Sequence, residues 1–174
     1  MRSVRVIIRL LRPSSLWKKC FEPLRSAHVP CLLGIDLGEK RAGVSVSDET
    51  ITIATPLKTI FVQGRRQLLR EIQQVVQEYG VTKIVVGFPI TLRGEIKEAA
   101  QKVQEHVEWF RSHSSLEWVL WDERLTTQEA ERILLEADLS RARRKEVIDQ
   151  IAAQRMLQSY IDFNRAQKDF HHDA

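Results

Sequence analysis

The sequence contains no run of roughly 18 or more apolar residues, which excludes a transmembrane helix. It has only two cysteines, Cys20 and Cys31, and neither has metal-ligand spacing or a neighbouring histidine cluster. This pattern predicts a reducing compartment and no zinc site. The sequence also lacks internal repeats and low-complexity segments. A chain of 174 residues with an ordinary composition therefore predicts one folded domain with a hydrophobic core.

Acidic residues are nearly absent from the first 30 positions. Residues 1–30 carry seven of the 27 Lys and Arg and one of the 23 Asp and Glu, so the rest of the chain has 20 cations and 22 anions. The basic pI therefore belongs to this leader and is not evidence for nucleic-acid binding by the domain. An Arg-rich, acid-poor leader resembles an organelle transit peptide. Its three prolines and its lack of a small-residue cleavage site favour a disordered basic arm or sequence upstream of the true start.

Residues 31–165 carry the periodicity of a single α/β domain, and we expect residues 166–174 to form a disordered tail. Alternating or continuous apolar runs predict strands, and apolar residues at helical spacing predict helices. The order of these elements implies a mixed sheet with helices packed on its faces. The predicted strands cover residues 31–37, 41–47, 51–62, 83–87 and 116–121, and the predicted helices cover residues 68–79, 96–110, 126–137 and 144–163.

A carboxylate interrupts the first predicted strand. Asp36 lies among Leu33, Ile35 and Leu37. A lone ionised carboxylate in an apolar strand is costly unless a cation or hydrogen bonds compensate it. Asp36 therefore either binds a ligand or ends its strand and accepts hydrogen bonds from the turn at Gly38.

Two further acids follow the last predicted strand. Asp122 and Glu123 come where that apolar segment ends, and open α/β sheets build their sites at strand ends. Thr126 begins a capping-box pattern, so we interpret it as a helix cap. Arg124 is either a solvated surface charge or a phosphate contact.

A third acid lies on the apolar face of the last predicted helix. Asp149 shares that face with Ala152, Ala153, Met156 and Tyr160. This spacing predicts that the carboxylate points toward the sheet, and the two alanines would let the helix approach the sheet closely. An acid in a first helical turn is also favoured by the helix dipole, but that role needs no buried face.

Acids from three separate elements, each in an apolar setting, indicate a site for divalent metal. Hard cations such as Mg²⁺ or Mn²⁺ prefer carboxylate oxygens. A pair of such ions roughly 4 Å apart can clamp the attacking and leaving oxygens of a phosphodiester. A nuclease of this kind needs only water as its nucleophile.

Four segments then occur in one order along the chain: GIDLGEKRAGVSVSD, VVGFPITLRG, DERLTT and VIDQIAAQRMLQSYID. Together they resemble the YqgF family, also called RuvX, of pre-16S rRNA nucleases and Holliday junction resolvase-like proteins in the RNase H-like superfamily. The resemblance runs from about Cys31 to Asp162. It implies an α/β, RNase H-like fold, a mixed five-stranded sheet with helices on both faces. It also implies that Asp36, Glu123 and Asp149 are the catalytic and metal-binding acids, with Asp122 as an alternative ligand.

The resemblance further implies where nucleic acid binds. Lys40 and Arg41 would lie near substrate phosphates. Gly87, Pro89 and Gly94 match a loop that allows close approach of a nucleic-acid strand, or they form a rigid loop with unusual backbone angles. Thr91 stands where the family often has Asn, which puts a side-chain contact from this loop in doubt.

Local cations are the other candidates for backbone contacts. Arg143, Arg144 and Lys145 precede the helix that carries Asp149, and we expect them to contact phosphates near the metal site. Arg65 and Arg66 are either phosphate contacts or a solvated charge run. We interpret Trp109, Trp118 and Trp121 as core or helix-face residues rather than stacking platforms for bases.

We therefore expect a metal-dependent endonuclease that hydrolyses phosphodiesters, in the family's terms a nuclease for the 5′ end of pre-16S rRNA. Its partner would be precursor rRNA or branched DNA, with no membrane partner, as a monomer or homodimer. It would be cytoplasmic, or organellar if the leader is a transit peptide. The alternatives are a Holliday junction resolvase-type DNA nuclease and a non-catalytic nucleic-acid-binding module. An ATP-binding protein of the actin and sugar-kinase type is disfavoured by size, because those proteins pair two such domains.

Overall fold

The computed structural model describes residues 30–90, 98–122 and 141–172. Five strands and three helices occur in these ranges. The strands are β1 (Cys31–Leu37), β2 (Arg41–Ser47), β3 (Ala54–Phe61), β4 (Val81–Phe88) and β5 (Glu117–Asp122), and the helices are α1 (Arg65–Tyr79), α2 (Glu98–His113) and α3 (Arg141–His172). No helix in the described part of the chain is long and apolar enough to cross a membrane. The predicted helix over 126–137 lies outside the described residues.

The strands form one mixed sheet in the order β3-β2-β1-β4-β5. The first three strands are joined as antiparallel neighbours, whereas β1 pairs with β4 and β4 with β5 in parallel. The predicted mixed five-stranded sheet is thus confirmed. Its parallel half matters for the site, because β1, β4 and β5 all end at one edge of the sheet, at Leu37, Phe88 and Asp122. We call this edge the carboxyl edge.

Helices cover both faces of the sheet, as predicted. On the face covered by α1 and α2, side chains such as Leu33 and Ile35 of β1 share a large core with Ile72 of α1 and Phe110 of α2. We call it the two-helix face. Strand residues alternate in direction, so the intervening positions of β1 face the other way. Leu32 there packs with Met156, Leu157 and Ile161 of α3, on what we call the α3 face.

Two of the differences between predicted and observed element boundaries have a clear physical reason. Strand β3 begins at Ala54 rather than residue 51, because the side chain of Asp48 accepts hydrogen bonds from the backbone N–H of Thr52 and Ile53 and holds the preceding segment in a turn. Helix α3 continues to His172, through residues predicted as a disordered tail. The prediction ended the helix where the apolar periodicity ends, but a polar segment rich in good helix formers can continue into solvent.

Strand β3 has an irregular centre next to Pro56. Val44 of β2 pairs with Lys58 and Ser45 pairs with Pro56, so Leu57 has no partner in the register and the strand bulges there. Proline lacks a backbone donor and is tolerated at an edge or a bulge, and β3 offers both.

Candidate active site

Asp36 lies at the carboxyl edge on the α3 face. Its strand neighbours Ile35 and Leu37 pack toward the two-helix face, so alternation directs Asp36 toward α3. The residue is half-buried. Burial, and second the negative charge of Asp149, raise the pKa of the Asp36 carboxyl to about 6. The structure thus brings the strand acid and the helix acid close enough to repel each other.

Two glycines explain how α3 comes so close to the sheet. Gly43 is the β2 residue paired with Asp36. A Cβ atom at Gly43 would lie 1.9 Å from the backbone oxygen of Asp149, so only glycine leaves room for the helix there. Further along α3, a Cβ atom at Gly34 would lie 2.7 Å from the Cβ of Leu157. The helix backbone therefore rests on the sheet itself, and Asp149 is carried in beside Asp36.

Hydrogen bonds fix the position of α3 along the sheet. The hydroxyl of Ser45, a fully buried residue of β2, donates to the backbone oxygen of Ala153 at 2.9 Å. Thr59 of β3 donates to the backbone oxygen of Glu146 at 2.9 Å. These bonds lie on either side of Asp149 in the helix, so the register that places its carboxylate is set from both β2 and β3.

Arg41 contacts the helix acid of this pair. Its Nε donates to Oδ2 of Asp149 at 2.6 Å, and both side chains are mostly buried. In the structure the guanidinium of Arg41 binds Asp149, and its role near substrate phosphates stays a prediction. With both acids ionised, the trio of Asp36, Asp149 and Arg41 carries one net negative charge.

The structure does not bring Asp122 to this pair. Trp118 and Leu120 of β5 pack toward the two-helix face, whereas Trp121 packs against Tyr160 of α3 at a ring distance of 5.2 Å. Alternation therefore directs Asp122 to the side opposite Asp36. Within residues 30–90, 98–122 and 141–172, no group of three His, Cys, Asp or Glu side chains could hold a metal ion. Glu123 lies outside the described residues.

The predicted nucleic-acid contacts fall into three groups. Lys40 is exposed in the turn between β1 and β2, and Lys145 is exposed one helical turn before Asp149. Gly87 is buried in β4, one residue beyond the pairing of Ile35 with Val86, and Pro89 follows the strand. The remaining predicted contacts cannot be placed: Gly94 and Arg124 lie outside the described residues, as do the side chains of Arg143 and Arg144.

Sequence reasoning missed the residues that let the helix dock. Ala153 is fully buried, in agreement with the expected close approach, but Gly34, Gly43 and Ser45 were not singled out. The available signal was a glycine inside each of two neighbouring strands, which marks a site where another backbone approaches closely.

Comparisons with known proteins place this arrangement in context. The family model described as "RuvX: Holliday junction resolvase" matches residues 30–163. A protein of Thermoanaerobacter pseudethanolicus named "Putative pre-16S rRNA nuclease" is 46% identical over 132 residues, which cover 75% of this chain and 95% of that protein. One of the same name from Geobacillus kaustophilus is 44% identical over 135 residues, covering 76% of this chain and 98% of that protein.

Solved structures show the same architecture. RuvC of T. thermophilus in complex with Holliday junction substrate has a TM-score of 0.50 at 11% identity and covers 78% of this chain and 96% of that chain. At this identity the similarity shows the fold alone, which is the RNase H-like fold.

Proposed function

The chain belongs to the RuvX family, and from that premise we propose that it is a nuclease that hydrolyses phosphodiester bonds at the site of Asp36 and Asp149. The observation that carries this assignment is the convergence of the two acids at a half-buried site, where burial, and second the charge of Asp149, raise the pKa of Asp36 to about 6. A fold that only needed stability would not hold two carboxylates against each other, because each such pair costs free energy. Perturbed acids of this kind are typical of functional sites.

A divalent cation fits the acid pair. Two half-buried carboxylates with one guanidinium leave negative charge that a hard cation would neutralise, and Mg²⁺ and Mn²⁺ prefer oxygen ligands. When bound, such a cation supplies Lewis-acid chemistry: it polarises the phosphate and makes water a better nucleophile. Asp36 and Asp149 would hold it, and Arg41 would keep the carboxylate of Asp149 oriented toward it.

We propose Glu123 rather than Asp122 as the third acidic ligand. Asp122 follows the alternation of β5 to the two-helix face, away from Asp36. Glu123 is the next residue along the chain, and its match to the family's acidic position supports the assignment.

The exposed cations around this site are the proposed contacts for substrate phosphates. Lys40 and Lys145 are both exposed, one in the turn just after β1 and the other one helical turn before Asp149. They would neutralise backbone charge without reading base sequence. We also keep Arg124, Arg143 and Arg144 in this role. At Gly87, Pro89 and Gly94, small or absent side chains would let the nucleic-acid strand approach the protein backbone closely.

The proposed substrate is the precursor of 16S rRNA, because the relatives that match nearly their full length carry that name. Holliday junction DNA is the second candidate, since it appears in the description of the matching family. Both substrates present the same phosphodiester to the acid pair, so the chemistry proposed for Asp36 and Asp149 serves either.

The test is cleavage of labelled precursor 16S rRNA and four-way junction DNA side by side, with Mg²⁺, Mn²⁺ or chelator. We expect metal-dependent cleavage of the rRNA, and a loss of at least about 100-fold in Asp36→Asn. Asp162→Asn is the matched control, because Asp162 is an exposed acid on α3 three turns beyond Asp149. Unchanged cleavage by Asp36→Asn would refute the assignment. Binding without metal-dependent turnover would favour a non-catalytic module.

A further inference from the structure

A cavity of about 490 Å³ lies beside the candidate active site, at the carboxyl edge on the two-helix face. One wall begins at Leu37, the residue after Asp36, and continues through Gly38 and Glu39 of the turn. Val62, which follows β3, and Pro89, which follows β4, also line it. Its volume lies within the range of about 300–1,000 Å³ that small-molecule sites occupy.

The opposite wall is one face of α2. Ala99, Lys102, Val103 and His106 line the cavity at helical spacing. Ala99 is exposed, whereas Val103 is almost fully buried, so the helix supplies both the rim and the floor. With Leu37 opposite, the walls are largely apolar. Such surfaces suit the flat, weakly hydrated faces of a nucleobase.

The rim of the cavity is acidic overall. Lys102 Nζ lies 3.1 Å from a carboxylate oxygen of Glu39 and 2.9 Å from one of Glu98. Two carboxylates share one ammonium group, so the local charge disfavours a phosphate. Carboxylates accept hydrogen bonds from the amino groups of bases. The chemistry therefore favours a neutral base with amino donors over an anionic group.

A basic surface continues from this cavity along α1. Gln63 follows Val62 of the cavity wall, and it borders a shallow depression lined also by Arg65, Arg66, Arg70 and Trp109. The first turn of α1 contains no acid. The ion pair of Arg65 with Glu105 is 3.4 Å long and solvent-exposed, so it is too weak to withhold this arginine from a phosphate. A nucleic-acid strand that runs from the active site across the cavity would thus bring its next phosphates to these arginines.

We propose that the cavity between the turn at Gly38 and helix α2 binds one unpaired nucleobase of the substrate strand, next to the phosphodiester that is cut. This inference rests on the proposed nuclease function, because that function brings the strand to the carboxyl edge. It deepens that function by assigning a single-stranded substrate segment and a preference for bases that carry an amino group, such as guanine.

The test is equilibrium binding of fluorescein-labelled single-stranded RNA covering the 5′ processing region of pre-16S rRNA, measured by anisotropy in chelator so that no cleavage occurs. One abasic residue is placed at each position in turn. We expect the wild-type protein to lose about 10-fold in affinity at one position and little elsewhere, since base stacking contributes strongly per base. Uracil at that position should bind about 5-fold more weakly than guanine. If the abasic residue changed the affinity equally at every position, the proposal would be overturned, and this outcome requires no protein variant.

A pair of variants on α2 links the effect to the cavity. Ala99→Phe fills the cavity from an exposed position, and Gln101→Phe adds the same ring at an exposed position outside the cavity lining. We expect Ala99→Phe to weaken binding of intact RNA by about 10-fold and to abolish the abasic effect, while Gln101→Phe behaves as wild type. Equal weakening of intact and abasic RNA by Ala99→Phe would contradict the proposal.

Cleavage assays with Mg²⁺ separate this proposal from the proposed function. A position-specific abasic effect without any cleavage would leave the base site standing and refute the nuclease assignment. Cleavage together with an equal affinity for every abasic RNA would leave the nuclease assignment standing and refute the base site.

Discussion

The two faces of the sheet are built on different principles. The two-helix face is filled by large apolar side chains such as Leu33, Ile72 and Phe110, which are almost fully buried. The α3 face instead carries Gly34, Gly43 and small polar residues opposite the helix, together with Asp36. The first arrangement maximises apolar burial, whereas the second brings a helix backbone onto the sheet so that two acids meet. The comparison shows that close backbone approach, rather than large side chains, positions the acid pair on the α3 face.

The largest effect should come from the two-helix face. Phe110→Ala removes a buried ring that stacks on Trp118 at a centroid distance of 4.9 Å, and we expect a loss of about 3–5 kcal/mol in the free energy of unfolding. Urea denaturation measures this loss. With saturating substrate, the folded fraction should cleave at the wild-type rate, because Phe110 packs on the face opposite the acid pair. A lowered rate per folded molecule would show that the faces are not separate.

The reverse experiment targets the α3 face. Gly43→Ala places a methyl group 1.9 Å from the backbone oxygen of Asp149, so α3 must move away. We expect a stability loss of about 2–4 kcal/mol and a decrease of at least about 100-fold in kcat. Gly34→Ala is the comparison variant: its methyl group meets the Ser45 hydroxyl at 2.5 Å and the Cβ of Leu157 at 2.7 Å, and neither atom belongs to Asp149. It should lose similar stability but less activity, and equal activity losses would contradict this account.

Removing the charge of Asp36 should stabilise the protein while it abolishes activity. The folded pKa is about 6 against an ordinary 3.8, so the folded chain binds more protons than the unfolded chain between these pH values. Ionisation of Asp36 therefore lowers stability as the pH rises from about 4 to about 6. At about 1.4 kcal/mol per pKa unit, Asp36→Asn should gain up to about 3 kcal/mol at pH 7, measured in chelator.

The pH dependence supplies the control for Asp36→Asn. At pH 3.5, below both pKa values, the carboxyl is protonated in the folded state and mostly protonated in the unfolded state, so most of the gain should disappear. Urea denaturation at pH 3.5 and pH 7 measures the difference. A gain of equal size at both pH values would mean that charge is not its cause.

The smallest effect concerns the orientation of Asp149. Arg41→Lys keeps the charge but replaces the guanidinium, and we expect about a 10-fold decrease in kcat with a stability loss of about 1 kcal/mol or less, because the pair is partly exposed. A role in substrate binding alone would instead raise KM at unchanged kcat. Kinetics on labelled rRNA separate the two outcomes.

Local patterns predicted most of the fold. Apolar periodicity predicted all five strands and helices α1 and α2, and Gly80 ends α1 in the left-handed conformation with a φ of 66°. These features depend on neighbours along the chain. The sequence also predicted that Asp149 faces the sheet, because residues on one helix face share a direction.

The contacts that complete the site were not predicted, since they join distant segments. The ion pair of Arg41 with Asp149 spans 108 residues, and the cavity beside Leu37 is closed by α2. Asp122 and Glu123 are adjacent in sequence, so composition could not separate them. The direction of β5, read from Leu120 and Trp121, turns Asp122 away from Asp36 and is the reason we propose Glu123.

The bulge in β3 also has a consequence for association between molecules of this protein. An exposed outer strand is a template on which a second molecule can add its own strand, the first step toward fibrils. Pro56 offers no donor to such an intruder, and the unpaired Leu57 disturbs the flat surface it would need. We therefore expect the proline and the bulge to disfavour self-templated growth of the protein along this border.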